Sequence, residues 1–227
     1  MGAVPVTYYS DIVCIWAYVA QARVEEVKNV FGRDVAVDYR FMSVFGNVPG
    51  KLESGWKDRG GAEGYNKHVL GIAARFPHVT VHPRIWIEPQ PASSASPHLF
   101  LSALLASERE RAPAQLVSSA FESVTWAFRR GFFAEALDIA RRDVQIELAR
   151  PYDVDIGDVV RRIDDGTAYA RLSADQQEAE RLRIEGSPTF VLNEGRQKLY
   201  GNVGFRIVEA NIRELLREPN PDSASWC

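Results

Sequence analysis

The chain has 227 residues, of which 46% are hydrophobic and 25% charged, the profile of a globular protein with a core to bury rather than of a disordered chain. A net charge of −3 gives no electrostatic case for nucleic acid or an anionic membrane, and no apolar run approaches the roughly 20 residues that span a bilayer. Two cysteines, Cys14 and Cys227, make no disulfide framework.

The opening "AVPVTYYS" is rich in Val, Tyr and Thr and predicts a buried strand. The segment before it has no basic start, apolar stretch or small-residue cleavage site, so no signal peptide is read and the cytoplasm is the expected compartment. Ser10 or Asp11 is the expected cap of a helix whose apolar positions Cys14, Ala17, Tyr18, Val24, Val27 and Val30 keep helical spacing, with Gly32 as its stop. "DVAVDYRFM" (34–42) alternates as a second strand, which makes a strand–helix–strand crossover with Cys14 at the helix N-terminus.

"SVFGNVPGKLESGWKDRGG" (43–61) reads as a long functional loop. From Ala62 to about Arg183 the pattern is helical, with breaks at Pro77–Pro91, Pro113, Gly131, Pro151 and Gly166. Ser96-Pro97 predicts a cap and first helical residue, and Ser173-Ala-Asp-Gln176 a capping box opening another helix. "PTFVLN" (188–193) and "QKLYG" (197–201) predict a hairpin. "FRIVEANIRELL" (205–216) predicts an amphipathic helix with Ile207, Val208, Ile212, Leu215 and Leu216 on its buried face. The class is therefore α/β, with residues 1–43 and 184–227 forming one discontinuous domain around an inserted helical domain, 44–183.

The stretch "DIVCIWAYVAQ" carries a thiol three residues before the place where a second cysteine would complete C-x-x-C; that place holds Ala17. A helix N-terminus favours the thiolate, while Asp11 opposes it. The alternative is a small buried hydrophobe. In "EGSPTFVLN", Pro188 behind Gly and Ser opens a strand, either as a cis proline or as a trans strand-start breaker.

Together, "YYSDIVCIWAYVAQARVEE" and the distant "EGSPTFVLN" resemble the DsbA-like branch of the thioredoxin superfamily, in particular FrnE-like oxidoreductases, 2-hydroxychromene-2-carboxylate isomerases and kappa-class glutathione transferases. The similarity spans nearly the whole chain, and "SSASPHLFLSAL" resembles that branch's N-T-x-x-A-H helix start. The resemblance implies a thioredoxin-like fold with an inserted all-helical domain. It also implies Cys14 as attacking thiol, Pro188 as a cis proline facing it, and Ser187 pairing its backbone with an extended thiol ligand. Trp16, Ala17 and Thr189 would flank that ligand. FrnE-like enzymes resemble C-P-W-C here, so Ile15 and Ala17 depart from them and remove the resolving thiol. The isomerases and transferases resemble S-P-Y, with a hydroxyl where Cys14 stands. "YGNVGFR" (200–206) resembles the isomerase G-N-D-R turn that holds the γ-glutamyl end of glutathione; Gly201 and Asn202 match and the acidic residue is absent.

The expected function is monothiol exchange or thiol-dependent isomerisation at Cys14, with glutathione or another small thiol as cofactor. A glutathione-dependent transferase or isomerase and a non-catalytic thioredoxin-like binding module are the alternatives. A small molecule or a disulfide is the expected partner, with a homodimer compatible and neither nucleic acid nor membrane involved. His98 is a candidate proton carrier from the insert, or a helix-start hydrogen-bonding group. His78 and His82 read as extended, too far apart for one metal ion, and none is expected. Trp56, Tyr65, Trp86 and Trp126 line a cleft or fill a core. Arg84 is an anion contact or a surface residue, and Cys227 a mobile terminal thiol that either has no role, links two chains on oxidation or swings in to resolve Cys14.

Overall fold

A computed structural model describes residues 2–111 and 120–217; Cys227, the polar tail and the break expected at Pro113 lie outside them. Strand β1 (Val4–Ser10) leads through helix α1 (Ile15–Phe31) into β2 (Val35–Phe41). β1 and β2 pair in parallel from Val4 against Val35 to Ser10 against Phe41. Helices α2 (Val48–Gly55), α3 (Gly61–Ala73), α4 (Ala95–Arg111), α5 (Ala120–Phe133), α6 (Arg142–Ala149), α7 (Ile156–Asp164) and α8 (Thr167–Arg181) follow. The chain then returns to the sheet as β3 (Thr189–Leu192) and β4 (Gln197–Tyr200) and ends in α9 (Phe205–Leu215). The strand order is β2-β1-β3-β4, with β3 antiparallel to both neighbours.

Alternation along β1 gives the sheet two buried faces. Val4, Val6 and Tyr8 pack with Val24, Val27 and Phe31 of α1 and with Val208 and Ile212 of α9. Tyr9 and Val191 face the other way, onto Ala179 of α8. Helix α1 joins two cores: its last turns lie on the sheet, while Ile15, Ala17, Tyr18 and Val19 belong to the core of the helical insert. Tyr18 stacks on Phe133 of α5 with ring centroids 4.8 Å apart. Each large apolar side chain fully buried in this way contributes about 1.5–3 kcal/mol. The start of α1 is therefore held from the insert side as well as from the sheet.

Several local expectations are corrected. The stretch 43–61 is helical from Val48, because Asn47 accepts the Gly50 N–H at 3.0 Å and Pro49 stands in the first turn. Helix α4 begins at Ala95, one residue before the expected cap; Ser93 Oγ accepts the Ala95 N–H, and Ser96 donates to Ala140 O instead. Ser173 and Gln176 lie inside α8, where Gln176 reaches Ser43 rather than a helix start. Ile207 on α9 is 54% exposed, since that helix covers the sheet with Val208 and Ile212. Among the described residues no helix is long and apolar enough to cross a membrane, and no His, Cys, Asp and Glu group is placed to hold a metal.

Candidate active site

Cys14 is the N-cap residue of α1, in extended backbone conformation, with no side-chain cap hydrogen bond. The helix therefore starts later than Ser10 or Asp11. Asp11 instead closes the turn before it: Oδ1 accepts the Val13 N–H at 3.1 Å, and the Cys14 N–H reaches Asp11 O at 3.1 Å. The thiol is 6% exposed and donates to Ser187 O at 3.3 Å. The Ser187–Pro188 peptide bond is cis. Ser187 Oγ accepts the Asp11 N–H at 2.8 Å, so the thiol loop and the proline loop are bonded to each other twice.

Burial pushes the Cys14 thiol above its ordinary value. The contact with Ser187 and the N–H groups of Ala17 and Trp16 pull the other way, and the Asp11 carboxylate adds to the rise. The helix-start argument from sequence anticipated a depressed value. Loss of water around the sulfur outweighs the helix N-terminus.

His98 is completely buried, stacked on Phe41 with centroids 4.8 Å apart, and its Nε2 accepts the Ile12 N–H at 3.0 Å. That bond puts its proton on Nδ1. Burial lowers its pKa to about 4, so the ring is neutral at physiological pH. It has the helix-start hydrogen-bonding place and meets neither solvent nor the thiol's proton. His78 Nε2 lies 3.0 Å from Val19 O, and Arg84 is exposed and paired with Glu88. Trp86 and Tyr65 are core residues: Trp86 stacks on Phe45, and Tyr65 is near enough to Cys14 and Asp11 for their charges to raise its pKa further beyond the rise from burial. Trp126 lies partly buried against Tyr18, and Trp56 against Tyr65.

Trp16 is half-buried, set edge-on to Phe76 with the Arg75 guanidinium 5.5 Å from its ring centre. Ala17 is wholly buried beneath the thiol loop. Thr189 Oγ1 donates to Gly186 O at 2.7 Å, and the Gly201 N–H to Pro188 O at 2.8 Å, which fixes the proline loop between β1 and β4. Tyr200 lies over Gly186 so closely that a Cβ there would come 2.7 Å from its ring. Asn202 Oδ1 is buried without a hydrogen-bond partner among the described residues. Beside this loop opens a cleft of about 350 Å³ lined by Arg183, Ile184, Glu185, Thr189, Lys198 and Tyr200. Neither Arg183 nor Lys198 makes an ion pair among the described residues.

Sequence reasoning missed Asp11, Phe45 and Ser94 as one unit. Asp11 Oδ2 accepts both the Phe45 N–H and the Ser94 hydroxyl at 2.8 Å. Only the acid three residues before the cysteine was legible; its partners lie 34 and 83 residues away.

A single thiol at a helix start, opposite the residue before a cis proline, on a four-stranded sheet with a helical insert, defines a thioredoxin-type site. The model of the DSBA-like thioredoxin domain matches residues 5–213, and the chain belongs to that family. No curated protein matches the chain. Among solved structures it is similar to the probable DsbA oxidoreductase from Streptomyces coelicolor, at 24% identity and TM-score 0.70, covering 97% of this chain and 93% of that one. The cytosolic disulfide reductase DsbM from Pseudomonas aeruginosa with GSH gives 20% identity and TM-score 0.64, over 92% and 100% of the two chains. A 2-hydroxychromene-2-carboxylate isomerase gives 15% and 0.54, over 92% and 94%. At these identities the likeness is one of fold.

Proposed function

We propose that the protein is a single-thiol oxidoreductase of the DsbA-like family that exchanges disulfides with a small thiol such as glutathione. The observation that carries this reading is the pairing of Cys14 Sγ with Ser187 O at 3.3 Å beside cis Pro188, with Ala17 in the place of a resolving thiol. The carbonyl next to the sulfur is where an extended ligand's backbone N–H would bond.

In the exchange, Cys14 gives its proton to water and its thiolate attacks one sulfur of a disulfide; the Cys14–ligand bond forms as the ligand's S–S bond breaks, and the other sulfur leaves as thiolate, to be protonated from solvent. No second thiol stands at position 17 to attack that mixed disulfide. A small thiolate from solution therefore attacks in its turn, forming a free disulfide and returning Cys14 as thiolate. His98 is not the proton acceptor, because its acceptor nitrogen is already bonded to Ile12 N–H.

The residues suit glutathione. Arg183 and Lys198 offer cations to its carboxylates, Glu185 offers a carboxylate to its ammonium, and Asn202 Oδ1 is an acceptor without a partner. DsbM, similar in fold, is known with GSH.

A second reading is favoured by one observation: a thiol 6% exposed and raised by burial suits a binding module whose cysteine does no chemistry. The two separate in one experiment. Cys227→Ser protein is incubated with oxidised glutathione, and adduct formation at Cys14 is followed by mass spectrometry. An adduct at Cys14 that free glutathione removes supports exchange; no adduct after prolonged incubation refutes it and leaves the module. Thiol-dependent isomerisation of a conjugated small molecule, by reversible thiolate addition, needs the same reactive Cys14 and shares that test.

A further inference from the structure

Asp11 is completely buried and accepts three hydrogen bonds, from Val13 N–H, Phe45 N–H and the Ser94 hydroxyl, while donating none from its side chain. Val13 belongs to the thiol loop, Phe45 to the chain leaving the sheet, and Ser94 to the approach to α4 in the insert. Two further bonds run from the same residue's backbone to the reactive centre: its N–H to Ser187 Oγ, and its carbonyl to Cys14 N–H. Every segment that positions the sulfur meets at this one residue.

Its charge has no counter-ion. Among the described residues no lysine or arginine pairs with Asp11; the one basic ring nearby, His98 with Nε2 at 3.7 Å, is neutral and already bonded to Ile12 N–H. Tyr65 and Tyr8, the other titratable groups that sense Cys14, are buried phenols whose ionisation burial opposes. Arg129, also buried, is bonded to Ser10 and Gln21 and acts on Tyr8 and His98 rather than pairing with Asp11. A thiolate formed at Cys14 would thus sit with little water around it, three residues from the Asp11 side chain and with its own N–H on the Asp11 carbonyl, and like charges in low dielectric repel.

We propose that Asp11 is a positioning residue that keeps Cys14 latent, pinning the thiol loop to the helical insert and setting a fixed negative charge beside the sulfur. This deepens the single-thiol reading. Removing the charge while keeping the shape makes the thiol more reactive, although the protein becomes less stable.

The test uses the Cys227→Ser protein and its Asp11→Asn and Ser94→Ala derivatives. Thiolate formation is followed by ultraviolet absorbance against pH, and alkylation at neutral pH by mass spectrometry. Asp11→Asn is expected to move the titration down and raise the alkylation rate several-fold, the thiolate fraction growing about tenfold for each pH unit of movement against a smaller loss of intrinsic nucleophilicity. Ser94→Ala leaves the charge and removes one donor that disperses it, so its titration moves up. A purely structural role would loosen the loop in both variants, wet the sulfur and move both titrations down. That result, or an unmoved Asp11→Asn titration, overturns the proposal. If Asp11→Asn does not fold, Ser94→Ala decides alone: an upward movement upholds it, and none or a downward one overturns it. Failure of the wild-type thiol to take glutathione would sink the exchange reading and leave these titrations interpretable.

Discussion

Two buried groups oppose each other in acid, and removing one should expose the other. Asp175 on α8 is 4% exposed, accepts the Phe41 N–H at 3.4 Å, and has Arg40 Nε 3.9 Å away. Burial raises its pKa from 3.8 to about 6, against the pull of Arg171 and Arg40. Between those values the folded protein holds a proton that the unfolded chain has released, so stability falls as pH rises through that window. His98 does the reverse: burial lowers it from 6.5 to about 4, so the unfolded chain holds the extra proton and stability falls as pH drops. Each interval corresponds to about 3 kcal/mol, and the two nearly cancel between pH 4 and 6. Asp175→Asn removes one side of the balance. Relative to wild type, the variant should gain about 3 kcal/mol between pH 4 and pH 7, and its own stability should fall steeply on acidification below pH 6.5. Urea unfolding by tryptophan fluorescence and circular dichroism, at several pH values across that range, measures the difference directly. Paired carboxylates elsewhere titrate in both proteins and drop out. A constant difference across the range would refute the raised pKa of Asp175; a flat Asp175→Asn profile below pH 6.5 would refute the lowered one of His98.

Restoring a second thiol with Ala17→Cys should give a dithiol that oxidises within the chain, read as a loss of two hydrogens by mass spectrometry and blocked by Cys14→Ala. Because Ala17 is wholly buried, the added sulfur should also cost about 1–3 kcal/mol by overpacking. Arg183→Ala with Lys198→Ala should slow mixed-disulfide formation with oxidised glutathione several-fold while leaving uncharged hydroxyethyl disulfide unaffected; equal slowing of both would remove the cleft from ligand recognition. Gly64→Ala should destabilise the α2–α3 region by about 2 kcal/mol or more, since its Cβ would lie 1.7 Å from Arg59 O, and unchanged protease resistance there would contradict this.

The crossover of β1, α1 and β2 was readable because alternation, helical spacing and a stop at Gly32, whose φ is +52°, agree over the same residues. Where two signals competed, the reading slipped. The Gly and Pro residues of 43–61 suggested a loop, yet Asn47 and Pro49 are the start signals of α2. Ser173–Gln176 has the letters of a capping box and none of its function, because α8 had already begun at Thr167. Ile207 satisfies the helical period of α9 but sits at the edge of a face filled by Val208 and Ile212, with Leu215 and Leu216 packed beside them.

The candidate site divides in the same way. A thiol at the start of a helix, without a partner three residues on, is a local fact, and the sequence alone settles it: side-chain identity and spacing along α1 need nothing from the rest of the chain. What stands opposite that thiol is not local. Ser187 meets Cys14 across 173 residues because β3 returns antiparallel to β1, and Asp11 finds Ser94 only once α4 docks on the sheet. The sense of the thiol's pKa belongs to the tertiary structure too. The helix N-terminus travels with the sequence, but the water removed around Cys14 depends on everything that packs over it, and that desolvation is the larger effect.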